Sequence, residues 1–290
     1  MFYSLQALAE KAEGKGIAAF ARKAQAALEG VSEETLNARM AETLEVMRQS
    51  ALKGMEPGLK SMSGMTGGQA SKLQEAAARG VTAGGSLLGR AEARALAIAE
   101  YNAAMGRIVA APTAGACGIL PAALLTAQEE YGLTESELVD ALFTAAAVGL
   151  VIAGRATISG AEGGCQSECG SAAAMAAAAL TQLRGGTPRQ AADACGFALM
   201  NVMGLVCDPV RGLVEVPCVY RNVAGVANAF SAADMALADI RCPIPPDEVI
   251  DAMKAVGEQL PSSLRETGEG GCAACPSAGG GRATTGGEHP

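Results

Sequence analysis

The sequence predicts an all-α protein: a single alanine-rich, multi-helix domain with Gly-rich loops between its helices. Three observations predict it. Alanine, the strongest helix former, dominates an apolar content of 50%. Aromatic residues make up only 3% and Trp is absent, so strand formers are scarce. Amphipathic segments of helical spacing alternate with stretches rich in Gly, Pro and Ser.

The elements follow in order. Residues 1–52 read as two or three amphipathic helices, with Ser32-Glu-Glu-Thr-Leu as a helix start carrying early carboxylates. Residues 54–71, GMEPGLKSMSGMTGGQAS, are a loop with many backbone donors, and composition leaves open a linker or a binding loop. Residues 72–110 are helical around Gly84-Gly85-Ser86. Pro112 and Gly115 then break the pattern before a helix from about Leu120 to Tyr131. That break is either an anion-accepting helix N-terminus or a tight connection. Thr134-Glu-Ser-Glu137 is a capping box, and the helix it opens runs through Leu142–Ala153, apolar all round and therefore central. Further helices begin at Ser171, span 187–205 and 221–240, and run from Pro245-Pro246-Asp247-Glu248 to about Leu260. The expected domain is 1–276, followed by a flexible tail over 277–290.

Charge and composition exclude several classes. The net charge is −8 and no basic run stands out, so nucleic acid is not an expected partner. The N-terminal MFYSLQALAEKAEGKG has no cleavable-signal pattern. The Leu142–Ala153 window is shorter than the roughly 20 residues a bilayer requires, so no membrane is expected and the default location is cytoplasmic. The only histidine is His289, which argues against an internal His-ligated zinc site or a Ser-His-Asp triad. No lysine lies between Lys72 and Lys254, so a pyridoxal phosphate enzyme is not expected.

The nine cysteines are an odd number in a long chain, which speaks against a disulfide scaffold. Cys117 and Cys195, in Ala/Gly-rich surroundings, read as small buried hydrophobes. Three others sit on turns. Cys207-Asp-Pro-Val-Arg-Gly-Leu-Val-Glu-Val-Pro-Cys218 carries two, and Gly160-Ala-Glu-Gly-Gly-Cys165 carries the third. Three thiols on Gly/Pro-rich turns can hold an iron–sulfur cluster by three corners and leave one iron as a Lewis acid; equally, they can be core residues.

APTAGACGILPAAL, ISGAEGGCQSECGSAAAMAAAAL, CDPVRGLVEVPCVYRNVAGVANAFSAADMALADI and PDEVIDAMKAVGEQLPSSLRET together resemble the iron–sulfur-dependent L-serine dehydratases, and more narrowly the α subunit of the two-subunit bacterial form. The resemblance covers roughly residues 50–276 and runs in the family's order. It implies a helical catalytic domain and a [4Fe–4S] cluster on Cys165, Cys207 and Cys218, with an iron that binds the serine hydroxyl and carboxylate. It also implies an enamine product that hydrolyses to pyruvate and ammonia, and a separate β subunit as partner. Related activity on L-cysteine or L-threonine, or an iron–sulfur redox sensor, are the alternatives.

Around that core, Thr66, Gly67 and Gly68, together with Thr113 and Gly115, are candidates for holding the substrate carboxylate through hydroxyls and backbone N–H groups. Ser159 and Glu162 are candidate catalytic groups, although Glu162, Glu168 and Glu215 are equally eligible as caps or ion-pair partners. Arg221 and Asn222 are placed to orient polar groups. Cys169 departs from the family pattern and reads as packing. Cys272-Ala-Ala-Cys275 reads as an incidental pair, with a rival role as a thiol that reaches the open iron. No segment supplies an evident base for the α-proton, which points to the β subunit.

Overall fold

The computed structural model describes residues 3–278, and the final stretch of the expected tail, 279–290, lies outside the described residues. Twelve helices are present among them: α1 Leu5–Ala12, α2 Ile17–Glu29, α3 Glu33–Gly54, α4 Gln69–Ala78, α5 Gly85–Ala103, α6 Ile119–Tyr131, α7 Glu135–Arg155, α8 Gly160–Gly163, α9 Ser171–Leu183, α10 Pro188–Met200, α11 Cys218–Leu237 and α12 Pro246–Gln259. No strand occurs among the described residues; one isolated parallel bridge joins Cys207 to Arg265. The all-α expectation holds.

The helix starts are chemically specified. Ser4 and Ser32 accept the backbone N–H groups of Ala7 and Thr35. Reciprocal capping boxes open α7 (Thr134 and Glu137) and α10 (Thr187 and Gln190, with Pro188 in the first turn). Each such cap contributes about 1 kcal/mol.

Alanine explains the packing. In α9 every residue from Ser171 to Thr181 is buried. The helix packs against α7, α10, α11 and α6 at once. A sheath that close is possible because methyl groups keep the interaxial distance at the short end of the usual range. Gly54 shows the limit: a Cβ there would lie 2.0 Å from the Ala97 carbonyl oxygen, so α3 and α5 touch backbone to backbone.

The apolar window of the sequence under-reads its helix. α7 runs for 21 residues with a mean hydropathy of 1.8, long and apolar enough by length and composition to cross a membrane. Here it packs against α2, α3 and α9, with Leu138, Leu142, Val148 and Ile152 buried.

Two buried polar side chains brace the site loops. Glu100 of α5 is fully buried and accepts N–H bonds from Gly67, Gln69 and Ala70 at 3.1–3.2 Å, capping α4 with a carboxylate. Gln166 donates to the carbonyls of Gly163 and Met253 and accepts from Gly204 N–H.

Candidate metal centre

Three segments converge on one spot. The first is α8, then Gly164 (φ 78°), Cys165 and a π-helical turn, Gln166–Gly170, that feeds α9. Such a wide turn inside a helical run is common at functional sites, and here it turns both Cys165 and Glu168 inward. Gly160 is required: a Cβ there would meet Glu168 Oε2 at 2.8 Å and Cys207 Sγ at 3.1 Å.

The second segment carries Cys207 and Cys218. The Cys207 N–H donates to Leu264 O at 2.9 Å, and its carbonyl accepts from Glu266 N at 2.8 Å. Both backbone groups of Cys207 are therefore pinned by the C-terminal segment. The chain then turns through Arg211 (φ 57°) and Gly212, closes with Val210 N–H to Val216 O at 2.7 Å, and enters α11 at Cys218.

The third segment is the 112–118 loop. Thr113 Oγ1 donates to Glu168 Oε1 at 2.6 Å. Asn222 of α11 holds this loop: its Nδ2 donates to Gly115 O at 2.8 Å and its Oδ1 accepts from Gly118 N–H at 2.8 Å.

One donor atom from each of Cys165, Glu168 and Cys207 lies within 4.8 Å of the others, a Cys/Glu group able to hold a metal. Cys165, Cys207 and Cys218 are 1%, 3% and 7% exposed, so any charge on them needs internal compensation. Arg221 supplies it. Its Nη1 lies 3.3 Å from Cys165 Sγ and donates to Val206 O at 2.7 Å, while Nη2 pairs with Asp208 Oδ1 at 2.7 Å.

The surroundings favour the thiolate form at Cys165. The thiols of Cys169 and Cys207 beside it, with Arg221, bring it down to about 3 against its own burial. The hydrogen bond to Cys165, with burial and the charge of that neighbour, pushes Cys207 up, and burial pushes Cys218 up to about 12. Glu168 is raised to about 7 by burial, with Cys165 and Glu266 adding and the Thr113 hydrogen bond opposing. Burial works against the Arg221 charge, but Cys165 and Asp208 outweigh it. Buried thiols beside a guanidinium and a carboxylate, no histidine among the described residues, and a space that a single methyl at Gly160 would fill together fit a soft, thiolate-bound metal group.

The other sequence candidates distribute unevenly. Thr113 and Gly115 reach the centre; a Cβ on Gly115 would lie 3.0 Å from Glu168 Oε1. Thr66 and Gly67 are engaged elsewhere, Thr66 Oγ1 with Glu215 at 3.2 Å and Gly67 N–H with Glu100 at 3.2 Å. Gly68 adopts the left-handed conformation (φ 71°) as the N-cap of α4. Glu162 is exposed, and Ser159 uses its N–H to bond Thr157 Oγ1. Cys169 is buried beside Cys165, Cys117 and Cys195 are buried in the core, and the Cys272 and Cys275 side chains are exposed. The backbone of Cys272 is nevertheless docked, its N–H donating to Asp208 Oδ2 at 2.6 Å.

Sequence reasoning weighed Glu168 only as a cap or ion-pair partner and missed the Asp208–Arg221 pair. A signal existed for Glu168: it stands three residues after Cys165, a spacing that puts both on one side of a helical turn. None existed for Asp208, whose role depends on two distant segments.

The family model described as serine dehydratase alpha chain matches residues 8–273. The chain is 51% identical over 245 residues to the probable L-serine dehydratase alpha chain of Bacillus subtilis, covering 84% of this chain and 81% of that one. It is 46% identical over 242 residues to the L-serine dehydratase alpha chain of Peptoniphilus asaccharolyticus, covering 83% of each. Against the longer L-serine dehydratase TdcG of Escherichia coli, identity is 44% over 181 residues, 62% of this chain but only 40% of that protein. A match across most of the chain, through the segments that build the centre, shows that this chain belongs to the serine dehydratase alpha chain family.

Proposed function

We propose that this chain deaminates L-serine to pyruvate and ammonia as the catalytic α subunit of an iron–sulfur-dependent dehydratase acting in the cytoplasm. Residues 1–276 are read as its helical catalytic domain, and 277–290 as a tail. The observation that carries the reading is the convergence of Cys165, Glu168 and Cys207 within 4.8 Å, walled by Gly160 and balanced by Arg221. Cys165, Cys207 and Cys218 would hold a [4Fe–4S] cluster. When bound, it supplies an iron without a protein ligand, a Lewis acid for the departing hydroxide.

The remaining roles belong to the chain. Arg221, itself set by Asp208, offsets the negative charge that three thiolates bring into a buried space. Glu168, oriented by Thr113, is the carboxylate among the cysteines that meets the substrate, in place of the exposed Glu162. Gly115 keeps the room beside it. Thr66 and Gly67 hold Glu215 and Glu100, and Gly68 caps α4. The partner is a separate β subunit: relatives of similar length are named alpha chains, while longer proteins named L-serine dehydratase contain a further part that this chain does not match.

The test is anaerobic reconstitution, with iron and sulfide counting and visible and EPR spectra, followed by turnover of serine, threonine and cysteine with the co-expressed β chain. Four irons per chain, lost in Cys165→Ser, Cys207→Ser or Cys218→Ser, with serine-dependent pyruvate, are expected. Failure to take up any cluster would sink the reading.

A further inference from the structure

A cavity of about 480 Å³ lies between α2, α3 and α7, a volume in the range that encloses a small molecule. Alanine creates it. In α9 alanine draws helices together, whereas here Ala21 of α2 and Ala146, Ala147 and Ala153 of α7 line a space that such short side chains leave unfilled. The aromatic part of the wall is braced, with the Arg22 guanidinium 5.5 Å from the centre of the Phe143 ring. The cavity opens to solvent at Leu150, which is 47% exposed, and at the exposed Ala153.

Its polarity is segregated. Every lining residue that α7 supplies is apolar, as are Pro112, Ile158 and Met175. The four polar ones, Gln25, Glu29, Arg39 and Thr43, all come from α2 and α3. They are linked: Arg39 Nη1 donates to Glu29 Oε2 at 2.9 Å, Gln25 donates to Glu29 Oε1, and Thr43 Oγ1 donates to Arg39 O. Arg39 and Thr43 also line a second groove, of about 300 Å³, together with Glu42 and Arg107. The polar side of the cavity thus offers two guanidiniums and two carboxylates around shared residues.

We propose that this cavity binds an apolar α-amino acid, leucine-like or phenylalanine-like, at a site separate from the metal centre. The side chain would fill the alanine-lined space, the carboxylate would meet Arg39 or Arg107, and the ammonium would meet Glu29 or Glu42. A ligand with a carboxylate alone would set its charge against the glutamates, and one with an ammonium alone would set its charge against the arginines; a zwitterion satisfies both. The site is placed to act as an effector site. Its apolar wall includes Pro112, next to the Thr113 that holds Glu168, and Ile158, two residues before the Gly160 that faces Glu168 and Cys207. An occupant therefore bears on two of the segments that build the centre. The effect on turnover rests on the dehydratase reading above; binding does not.

The experiment is isothermal titration calorimetry on the co-expressed α–β complex, with L-leucine and L-phenylalanine as probes. Leucine without its amino group (4-methylpentanoate), leucine without its carboxylate (3-methylbutylamine) and glycine are the comparisons. One of the two probes should bind, with each comparison at least about 10-fold weaker. Two variants test the place: Ala153→Phe, which fills the mouth, and Arg39→Gln, which removes a carboxylate partner. Both should weaken binding at least about 10-fold, with far-UV circular dichroism and serine turnover in the absence of the probe unchanged. The bound amino acid should shift kcat/KM for serine by at least about fivefold in the wild type. No binding up to about 10 mM would overturn the proposal. So would wild-type affinity in both variants, equal affinity for 4-methylpentanoate, or binding to α alone that disappears in the complex, which would make the cavity a seat for the partner chain. Binding that leaves serine kinetics unchanged would overturn the effector role. A complex that makes no pyruvate but binds leucine or phenylalanine, with the variant losses expected above, would count against the dehydratase reading and leave this site standing.

Discussion

The two Gly-rich loops, 61–68 and 112–118, look alike in sequence and do different work. Both present hydroxyls and backbone N–H groups suited to a carboxylate. In the first, protein carboxylates have taken the donors: Glu100 accepts from Gly67, Gln69 and Ala70, and Glu215 from Ser63 and Thr66. In the second, Thr113 spends its hydroxyl on Glu168, a carboxylate that lies beside Cys165 and Cys207. A donor-rich loop is therefore informative only when its acceptor is known. The first loop is a bracket, and the second is part of the centre.

Breaking the second loop's side of this comparison should have the largest effect. Glu168→Gln is expected to lower kcat by at least about 100-fold while iron content stays at wild type, because the group lost is the one proposed to meet substrate. Glu162→Gln, on the exposed side of the same motif, should leave kcat within about twofold; equal losses in both would refute the assignment of Glu168.

The first loop should respond in stability. Glu100→Ala strips a buried acceptor from three backbone N–H groups, which should cost about 3–5 kcal/mol and show as a fall in the denaturant midpoint. A fall below about 1 kcal/mol would mean that water replaces the carboxylate there.

The smallest and sharpest contrast is between the two threonines. Thr113→Val should reduce kcat/KM by about 10-fold with little change in stability, since it frees Glu168 to turn. Thr66→Val should cost about 1 kcal/mol of stability and leave turnover nearly intact. The reverse pattern would exchange the roles of the loops.

Much of this protein was legible beforehand because the signals are local. The Thr134–Glu137 box, the Ser32 start and the alanine runs act over three or four residues, and the helices they specify form where expected. Cys165, Cys207 and Cys218 stood out for their turn contexts. The C-terminal segment was less legible. Cys272 reads as half of an incidental pair, yet Gly271 adopts φ 57° against Asp208, and Leu264 to Glu266 grip Cys207. Those contacts link positions some 60 residues apart, and no periodicity reports them.

The sequence by itself determined the class: all helices, alanine packing, no internal histidine or central lysine, and three cysteines on turns. Tertiary structure alone decided which carboxylate joins Cys165 and Cys207, which loop is bracket and which reaches the centre, and that Arg221 is the balancing charge. The division has a physical cause. Helix propensity and capping are properties of a few adjacent residues, whereas a buried charge is set by whatever distant side chain comes within hydrogen-bond reach once water has been excluded.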